Sequence, residues 1–465
     1  MPKLHKGDVV ELEIERMAFG GKGVARSNGF VVFVKGGIPG DKLKGKIYRK
    51  KRNYAEADLI ELIDPSKERI LAPCSYFGFC GGCQWQHVNY KSQLSFKRKI
   101  VRESISQIAN LPEIYINEVI PSDKIFAYRN KMEFSFCDRR WLLPEEMGKK
   151  ESESGFALGL HVPGTYYKVI DVEKCLLQHD TGNRILRVVK QYAKSSGVPV
   201  YGLKTHKGFW RFLILRYSVY DDKWMVNIVT SDYNSEIVRP LADMLNDKFD
   251  RIGTIVNNVT TKKSSTSIGE KEIILMGKGV IRDRIGEFSF QISSNSFFQT
   301  NSPAAQKLYD TVALFAELER NQSVLDLYSG TGTIPIFLAK MASHITGIEI
   351  SESAVMDARK NCDRNNVSNC RFICGDMREE LSKLNETPDV IIIDPPRAGM
   401  HKDVLTKVLE MKPGKIVYVS CNPTTMARDI ALMTSHYKIL EIQPVDMFPH
   451  TYHIESVAKL THRKR

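Results

Sequence analysis

The chain has 465 residues, 42% of them hydrophobic and 26% charged, with a formal net charge of +13. That length exceeds one ordinary core and sets an expectation of roughly two to four domains, and the composition is that of a folded, soluble chain rather than a disordered one. No run approaches the ~18 uncharged apolar residues of a membrane span, and the opening "MPKLHKGDVVELEIER" lacks the apolar core of a signal peptide, so a cytoplasmic location and no membrane contact are expected.

Positions 1 to 52 hold 13 Lys or Arg against 5 Asp or Glu. An anionic partner fits this asymmetry, nucleic acid above all. Runs broken by glycine, "DVVELEIERMA", "GGKGVARSNG", "FVVFVKGGIPGD" and "KLKGKIYRKKRNYAEADLIEL", predict five strands closing into a small OB-like β-barrel over residues 1–62. Its basic tip "KIYRKKRNY" interleaves Tyr48 and Tyr54 with cations including Lys50, Lys51 and Arg52, which suits phosphate contacts and base stacking. A solvated strand edge protected by lysines would carry the same pattern.

Residues 63–290 predict an α+β middle domain. It begins near "CSYFGFCGGC" and continues into a helix, "VNYKSQLSFKRKIVRESISQIANL", with Lys97, Arg98, Lys99 and Arg102 expected on its exposed side. The strand patterns "YRNKMEFSFCD" and "GFALGLHVPGTYYKVID" flank a charged insertion at 139–154, and short helices and strands alternate from about 190 onward. Nine cysteines without a secretion signal argue for metal or catalytic roles over a disulfide framework. Cys74, Cys80, Cys83 and Cys175 follow C-x5-C-x2-C with a distant fourth member. From spacing alone zinc and an iron-sulfur cluster compete, with scattered thiols third.

Residues 291–465 change character, with apolar strands alternating with helices. Continuous runs such as "VIII" predict strands covered on both faces, hence a doubly wound, Rossmann-like α/β sheet. The first turn, "DLYSGTGTIPIFLAK", places Asp326, Gly330 and Gly332 between strand and helix, where glycine permits a tight turn and close ligand approach. Pro335 occupies the place of the third glycine of a dinucleotide fingerprint, so nicotinamide and flavin fit less well. Glu349 ends the next strand, placed to accept ribose hydroxyls, and Asp376 ends the third, placed to meet an adenine amino group. Each acid singly would also serve as a helix cap. Together, with no phosphate-binding lysine loop, they point to a nucleoside cofactor, S-adenosylmethionine.

"IIIDPPRAGM" ends the fourth strand, and two prolines stiffen the loop that holds Asp394 toward substrate. Asp-Pro-Pro also suits amino methyltransferases acting on exocyclic nitrogens, so it fixes methyl transfer better than the acceptor atom. Cys421 ends the fifth strand, before Asn422 as N-cap and Pro423 at the first helical position. A helix N-terminus there is expected to stabilise the thiolate. Such a thiolate can add to carbon 6 of a pyrimidine and make carbon 5 nucleophilic. A base must then remove the carbon 5 proton, and Glu455, at the start of a last strand expected to run antiparallel, is the candidate. A target base normally stacked must be flipped out, and Phe297 or Phe298 is placed to fill the gap or simply to pack.

"FFQTN", "DLYSGTG", "IEIS", "IIIDPPRAG", "VSCNP" and "HIES" together resemble the RNA uracil-5 methyltransferase family, which makes 5-methyluridine, over essentially the whole chain. The resemblance implies an S-adenosylmethionine-dependent enzyme with Cys421 as nucleophile, Glu455 as base and Asp394 at the substrate. It implies cofactor contacts from Gln299, Tyr328, Glu349 and Asp394, and from Thr333, where some members have Asn. The N-terminal barrel looks like a TRAM domain, which implies 23S ribosomal RNA as the substrate, with transfer RNA as the alternative. Arg129 and Lys131 of "YRNKMEF" match a family segment that touches RNA. The four cysteines resemble the [4Fe-4S] motif of the ribosomal members. A monomer is expected. Two rivals follow from the same residues: an amino methyltransferase on RNA bases, and a non-catalytic RNA-binding factor that has kept the fold.

Overall fold

The computed structural model describes residues 4–27, 29–147, 155–263, 266–384 and 386–463. The end of the charged insertion, 148–154, lies outside the described residues.

Six strands build the N-terminal sheet, in the spatial order Val9–Glu13, Lys42–Lys50, Tyr54–Asp64, Phe30–Lys35, Gly23–Ser27 and Arg16–Met17. Along Lys42–Lys50 the buried Leu43, Gly45 and Ile47 alternate with polar neighbours, the period of a strand with one face inward. The Glu15 amide donates to the Val24 carbonyl at 2.8 Å, bringing the end of the first strand against Gly23–Ser27, so the sheet curls around Leu12, Ile14, Val32, Leu43 and Ala57. The two-residue strand Arg16–Met17 is one more than the pattern predicts. Asp41, fully buried, accepts from the Arg69 guanidinium at 2.7 and 2.6 Å and from the amides of Ile38 and Ser66, which pins the following linker to the barrel.

The middle sheet has eight strands, in the order Lys271–Met276, Ile252–Val259, Lys223–Thr230, Trp210–Ser218, Lys131–Cys137, Ala157–His161, Val169–Asp171 and Arg140–Trp141. The helices Asp180–Ser195 and Ser235–Lys248 cover it through Ile185, Leu186, Val238 and Leu241. A separate hairpin, Val280–Ile285 with Phe288–Ser293, packs its phenylalanines on the helices of the C-terminal unit.

The C-terminal sheet runs Cys370–Cys374, His344–Glu349, Ser323–Leu327, Val390–Ile393, Lys415–Ser420, Glu455–His462, Tyr437–Val445 and Tyr115–Ile116. Its pairings are parallel except for Glu455–His462, which is antiparallel to both neighbours. The strand order reverses between Ser323–Leu327 and Val390–Ile393, so a crevice opens beyond their carboxyl ends. Among the described residues no helix is long and apolar enough to cross a membrane.

Two features of residues 90–116 depart from the sequence pattern. Tyr115–Ile116 joins the edge of the C-terminal sheet, and the helix Tyr90–Ile108 lies against the helix Pro423–Met433. Lys97, expected at the surface, is fully buried on that helix and donates to Asp446 at 2.6 Å and to the Phe448 carbonyl at 3.0 Å. Its position one residue from Phe96 and three from Ile100 puts it on the packed stripe, and the buried aspartate compensates its charge. Arg98 is half-buried against Glu118, whereas Lys99 and Arg102 are exposed.

Candidate active site

The strand Ser323–Leu327 ends in a turn that needs left-handed backbone, with φ of +67° at Tyr328, +54° at Gly330 and +76° at Gly332. A Cβ on Gly332 would lie 2.7 Å from the Phe372 ring, so only glycine fits, whereas a Cβ on Gly330 would meet nothing within 4 Å. The Gly330 face is therefore open for a ligand to approach the backbone. Glu349, ending the neighbouring strand, accepts from the Gly330 amide at 3.0 Å and the Ser351 amide at 2.9 Å. Its carboxylate is thus oriented before any ligand arrives.

A cavity enclosing about 50 Å³ opens there, lined by Phe297, Gln299, Tyr309, Asp326, Tyr328 and Asp394 among others. Gly330 and Thr333 share its wall. Phe298 is 3% exposed and packs on Phe290, while Phe297 is 69% exposed, so only Phe297 is placed to stack on something from outside. Tyr309 was not singled out by the sequence. Its hydroxyl meets Thr333 Oγ1 at 2.9 Å and the Gln299 side chain, and its one signal is its place on the helix that directly follows "FFQTN".

The electrostatics of this cavity are unusual. Both oxygens of Asp326 are buried without a hydrogen-bond partner, and burial, then Asp394 and Glu349, hold its carboxyl well above the usual carboxylate range. Burial likewise pushes Asp394 up to about 6. Orphaned acids are costly unless a cation or donor completes them. The sulfonium and ammonium of S-adenosylmethionine are cations of the needed sign, and the open Gly330 face and oriented Glu349 suit its nucleoside, so these residues fit that cofactor. Asp376 stands apart. It caps the helix Met377–Lys383, pairs with both Arg378 nitrogens at 2.9 Å, and is held down to about 2 by those bonds, so its oxygens are already committed.

Ser420 and Ser456 are the last pair of the antiparallel strands, which puts Cys421, just beyond one strand, at the same end of the sheet as Glu455, close enough for the carboxylate to act on the thiol. Glu455 is 6% exposed, and burial, then Asp394, push it up to about 8. Arg397 opposes that shift. Cys421 departs from the expected thiolate stabilisation: burial, then Glu455, push its thiol up to about 11 against the pull of Arg397. The physical reason is local. Asn422 caps the helix by accepting from the Thr424 amide at 3.1 Å, leaving the thiol one residue outside the cap and beside two acids. Arg397 is exposed at the rim of this site, and its proximity to Cys421, Glu455 and His453 was not read from the sequence.

The segment leading into Glu455 is clamped by residues from the middle of the chain. Gln93 accepts from the His450 amide at 2.8 Å, Tyr128 donates to the Pro449 carbonyl at 3.1 Å, and the amides of Gln84 and Trp85 both donate to the His450 carbonyl. His450 stacks on Phe126 at 4.3 Å.

Cys74, Cys80, Cys83 and Cys175 line one cavity of about 280 Å³ with apolar walls that include Phe77 and Leu160. Burial pushes Cys80 up to about 11 and Cys83 to about 12, and raises Cys74 and Cys175. Among the described residues no group of three or more His, Cys, Asp or Glu is arranged to hold a metal ion. The expected cluster is therefore not supported by that arrangement, in which burial favours thiols over the thiolates a metal needs. The donor set itself, four sulfurs on one cavity, is compatible with a group larger than a single ion. Arg129 and Lys131, expected to face RNA, line this same cavity. Between them, Asn130 donates to the Gln299 carbonyl at 2.9 Å and to Ser302 Oγ at 2.7 Å, joining the thiol cavity to the cofactor cavity. Lys50, Lys51 and Arg52 are exposed at the hairpin tip of the barrel.

The chain is similar to proteins of known class. A family model described as tRNA (uracil-5-)-methyltransferase matches residues 236–463, and a TRAM domain model matches residues 3–60. An uncharacterized RNA methyltransferase of Chlorobaculum tepidum is 40% identical over 98% of this chain and 97% of its own length. Another, from Bacteroides thetaiotaomicron, is 38% identical over 96% and 99%. Among solved structures, the Pyrococcus abyssi tRNA (uracil-54, C5)-methyltransferase in complex with S-adenosyl-L-homocysteine superposes with a TM-score of 0.75 at 32% identity, covering 97% of this chain and 100% of that one.

Proposed function

Because this chain belongs to the tRNA (uracil-5-)-methyltransferase family, as an S-adenosylmethionine-dependent RNA methyltransferase with an N-terminal TRAM domain, we propose that it methylates carbon 5 of a specific uridine in 23S ribosomal RNA. The observation that carries the reaction is the grouping of Cys421 with Glu455, Asp394 and Arg397 at the end of the antiparallel pair. In this reading residues 1–62 and 63–290 grip RNA and residues 291–465 hold the cofactor.

Asp326, Glu349, Gln299, Tyr328, Thr333 and Asp394 would hold S-adenosylmethionine, which supplies the methyl group. Cys421 rests as a thiol, and Arg397 is the cation that favours its ionisation. The thiolate adds to carbon 6 of the flipped uracil, and the electron pair displaced toward carbon 5 takes the methyl group. Glu455 as carboxylate then removes the carbon 5 proton, the ring double bond re-forms, and the sulfur leaves as thiolate. Asp394 positions the uracil, and Phe297 occupies the place of the base in the stack.

For the four cysteines the sequence spacing, and not their present arrangement, favours a [4Fe-4S] cluster over zinc. The C-x5-C spacing is longer than the ~2 to 4 residues usual between zinc-finger cysteines. Cys74, Cys80, Cys83 and Cys175 would hold the cluster and so tie two distant segments of the middle region. Iron and sulfide analysis after anaerobic purification decides between the metals.

A second reading has its own support. The solved relative acts on transfer RNA, and its structure covers 97% of this chain, barrel included, so the barrel alone does not separate ribosomal from transfer RNA. The test offers unmodified 23S ribosomal RNA and unmodified transfer RNA with labelled S-adenosylmethionine, followed by nucleoside analysis. 5-Methyluridine in the ribosomal RNA alone supports the proposal. The same product in transfer RNA alone selects the second reading, and label in a methylated purine would overturn both.

A further inference from the structure

The barrel carries a second opening, away from both cavities above. It measures about 450 Å³ and is lined by Ala18, Phe19, Gly20, Lys22, Phe33, Tyr54 and Glu56. Phe33 and Tyr54 meet edge to face at 5.5 Å. Across the opening, Phe19 meets Tyr452 at 5.4 Å, and Tyr452 lies on His453 at 4.2 Å, two residues before Glu455. Lys22 is held by the Tyr48 hydroxyl at 3.0 Å and by Glu56 at 3.3 Å. The exposed Lys50, Lys51 and Arg52 stand at the hairpin tip leading into Tyr54.

All three rings are half-buried, so each keeps a wet face. Aromatic faces beside a cationic tip are the elements of a single-strand stacking site, because every base offers a π-face and every linkage a phosphate. Glu56 adds an edge contact: one oxygen of its carboxylate pairs with Lys22, and the acceptor positions left over suit an amino group. We propose that this opening is a subsite for one nucleobase of the RNA strand, an amino-bearing base stacked on Tyr54 and perpendicular to Phe33, with its donor edge on Glu56 and its phosphates on the basic tip. The row of rings through Tyr452 places that base on the same path as the uridine delivered to Cys421. The inference rests on the reading of this chain as an RNA-modifying enzyme.

Binding of fluorescent 12-nucleotide oligo(C) and oligo(U) to the full chain without cofactor reads the subsite independently of methylation, so failure of the reaction and failure of the subsite are distinguished. Oligo(C) is expected to bind more tightly than oligo(U), and Glu56→Gln to remove that preference. Tyr54→Ala is expected to weaken oligo(C) roughly five- to one-hundred-fold, the range of one lost stacking contact, while Tyr54→Phe binds as the parent does. Thermal unfolding of each variant separates loss of the site from loss of the barrel. Photocrosslinking of 8-azidoadenosine-bearing RNA, whose base keeps its amino group, to peptides containing Phe33 or Tyr54 gives a readout that needs no variant. Unchanged oligo(C) binding by a folded Tyr54→Ala, or an intact preference in Glu56→Gln, overturns the proposal.

Discussion

Cys421 and Glu455 stand at the same end of the antiparallel pair closed by Ser420 and Ser456, and after burial it is the Glu455 carboxylate that most raises the cost of a charge on the thiol. Glu455→Gln removes that carboxylate. The thiol of the variant is expected to fall below about 11, seen as faster alkylation by iodoacetamide at a given pH. The same variant lacks the base, so ordinary substrate RNA should accumulate as a covalent protein adduct, with turnover reduced about 10²- to 10⁴-fold. Cys421→Ala should form neither adduct nor product.

The pH dependence follows from the same group. In the proposed reaction Glu455 works as carboxylate, and it is pushed up to about 8, so kcat/KM should climb with pH through that value and keep climbing as Cys421, near 11, ionises. Stability runs the other way. Glu455 and Asp394 bind protons more tightly in the folded protein than when unfolded, so their contribution is complete below the ordinary carboxylate range and is lost as pH rises through about 6 and then 8. The Tm should therefore fall between pH 5 and pH 9, and Glu455→Gln should flatten that slope.

Asp326 has no partner for either oxygen. Asp326→Asn removes a buried acid held above its normal range, and should stabilise the cofactor-free protein at pH 8 by about 1–3 kcal/mol. If the acid serves a cationic ligand, the variant binds S-adenosylmethionine at least ten-fold more weakly by calorimetry. Unchanged affinity would assign the aspartate no role at the cofactor.

Asn130 spans the two cavities through Gln299 and Ser302. Asn130→Ala leaves a buried carbonyl and hydroxyl short of a donor, a cost of about 1–3 kcal/mol. Because Gln299 lines the cofactor cavity, KM for S-adenosylmethionine should rise about ten-fold while the ratio of adduct to product stays as in the parent.

Lys97→Met strands Asp446 in the interior and should cost about 3–5 kcal/mol. The double variant Lys97→Met with Asp446→Leu should recover only part of that in thermal unfolding, because it removes the stranded charge but leaves the Tyr90 hydroxyl and the Phe448 amide without their acceptor.

The doubly wound sheet was legible because runs such as Val390–Ile393 are apolar throughout, and the antiparallel last strand was expected from the likeness to methyltransferase sheets. Gly330, Gly332 and the strand-end acids were legible as a turn because glycine spacing is a local signal. What escaped was non-local. Lys97 reads as a surface cation until Asp446 is known to stand against it, and a two-residue strand such as Tyr115–Ile116 has too little period to announce itself. The charge state of Cys421 also depended on neighbours from another strand and outweighed the helix terminus beside it.

Gly21 lies against the catalytic segment, where a Cβ would sit 3.1 Å from the Tyr452 ring, and its carbonyl accepts from the buried indole of Trp85 at 3.3 Å. A barrel on a loose tether would let the basic tip and Cys421 serve RNA sites at many separations. Seated in this way, the two ends would act as a caliper of fixed opening. In the proposed reaction a strand whose gripped nucleotide and whose uridine are spaced otherwise would not satisfy both at once, so part of the choice of uridine would be made by length, before any base edge is read.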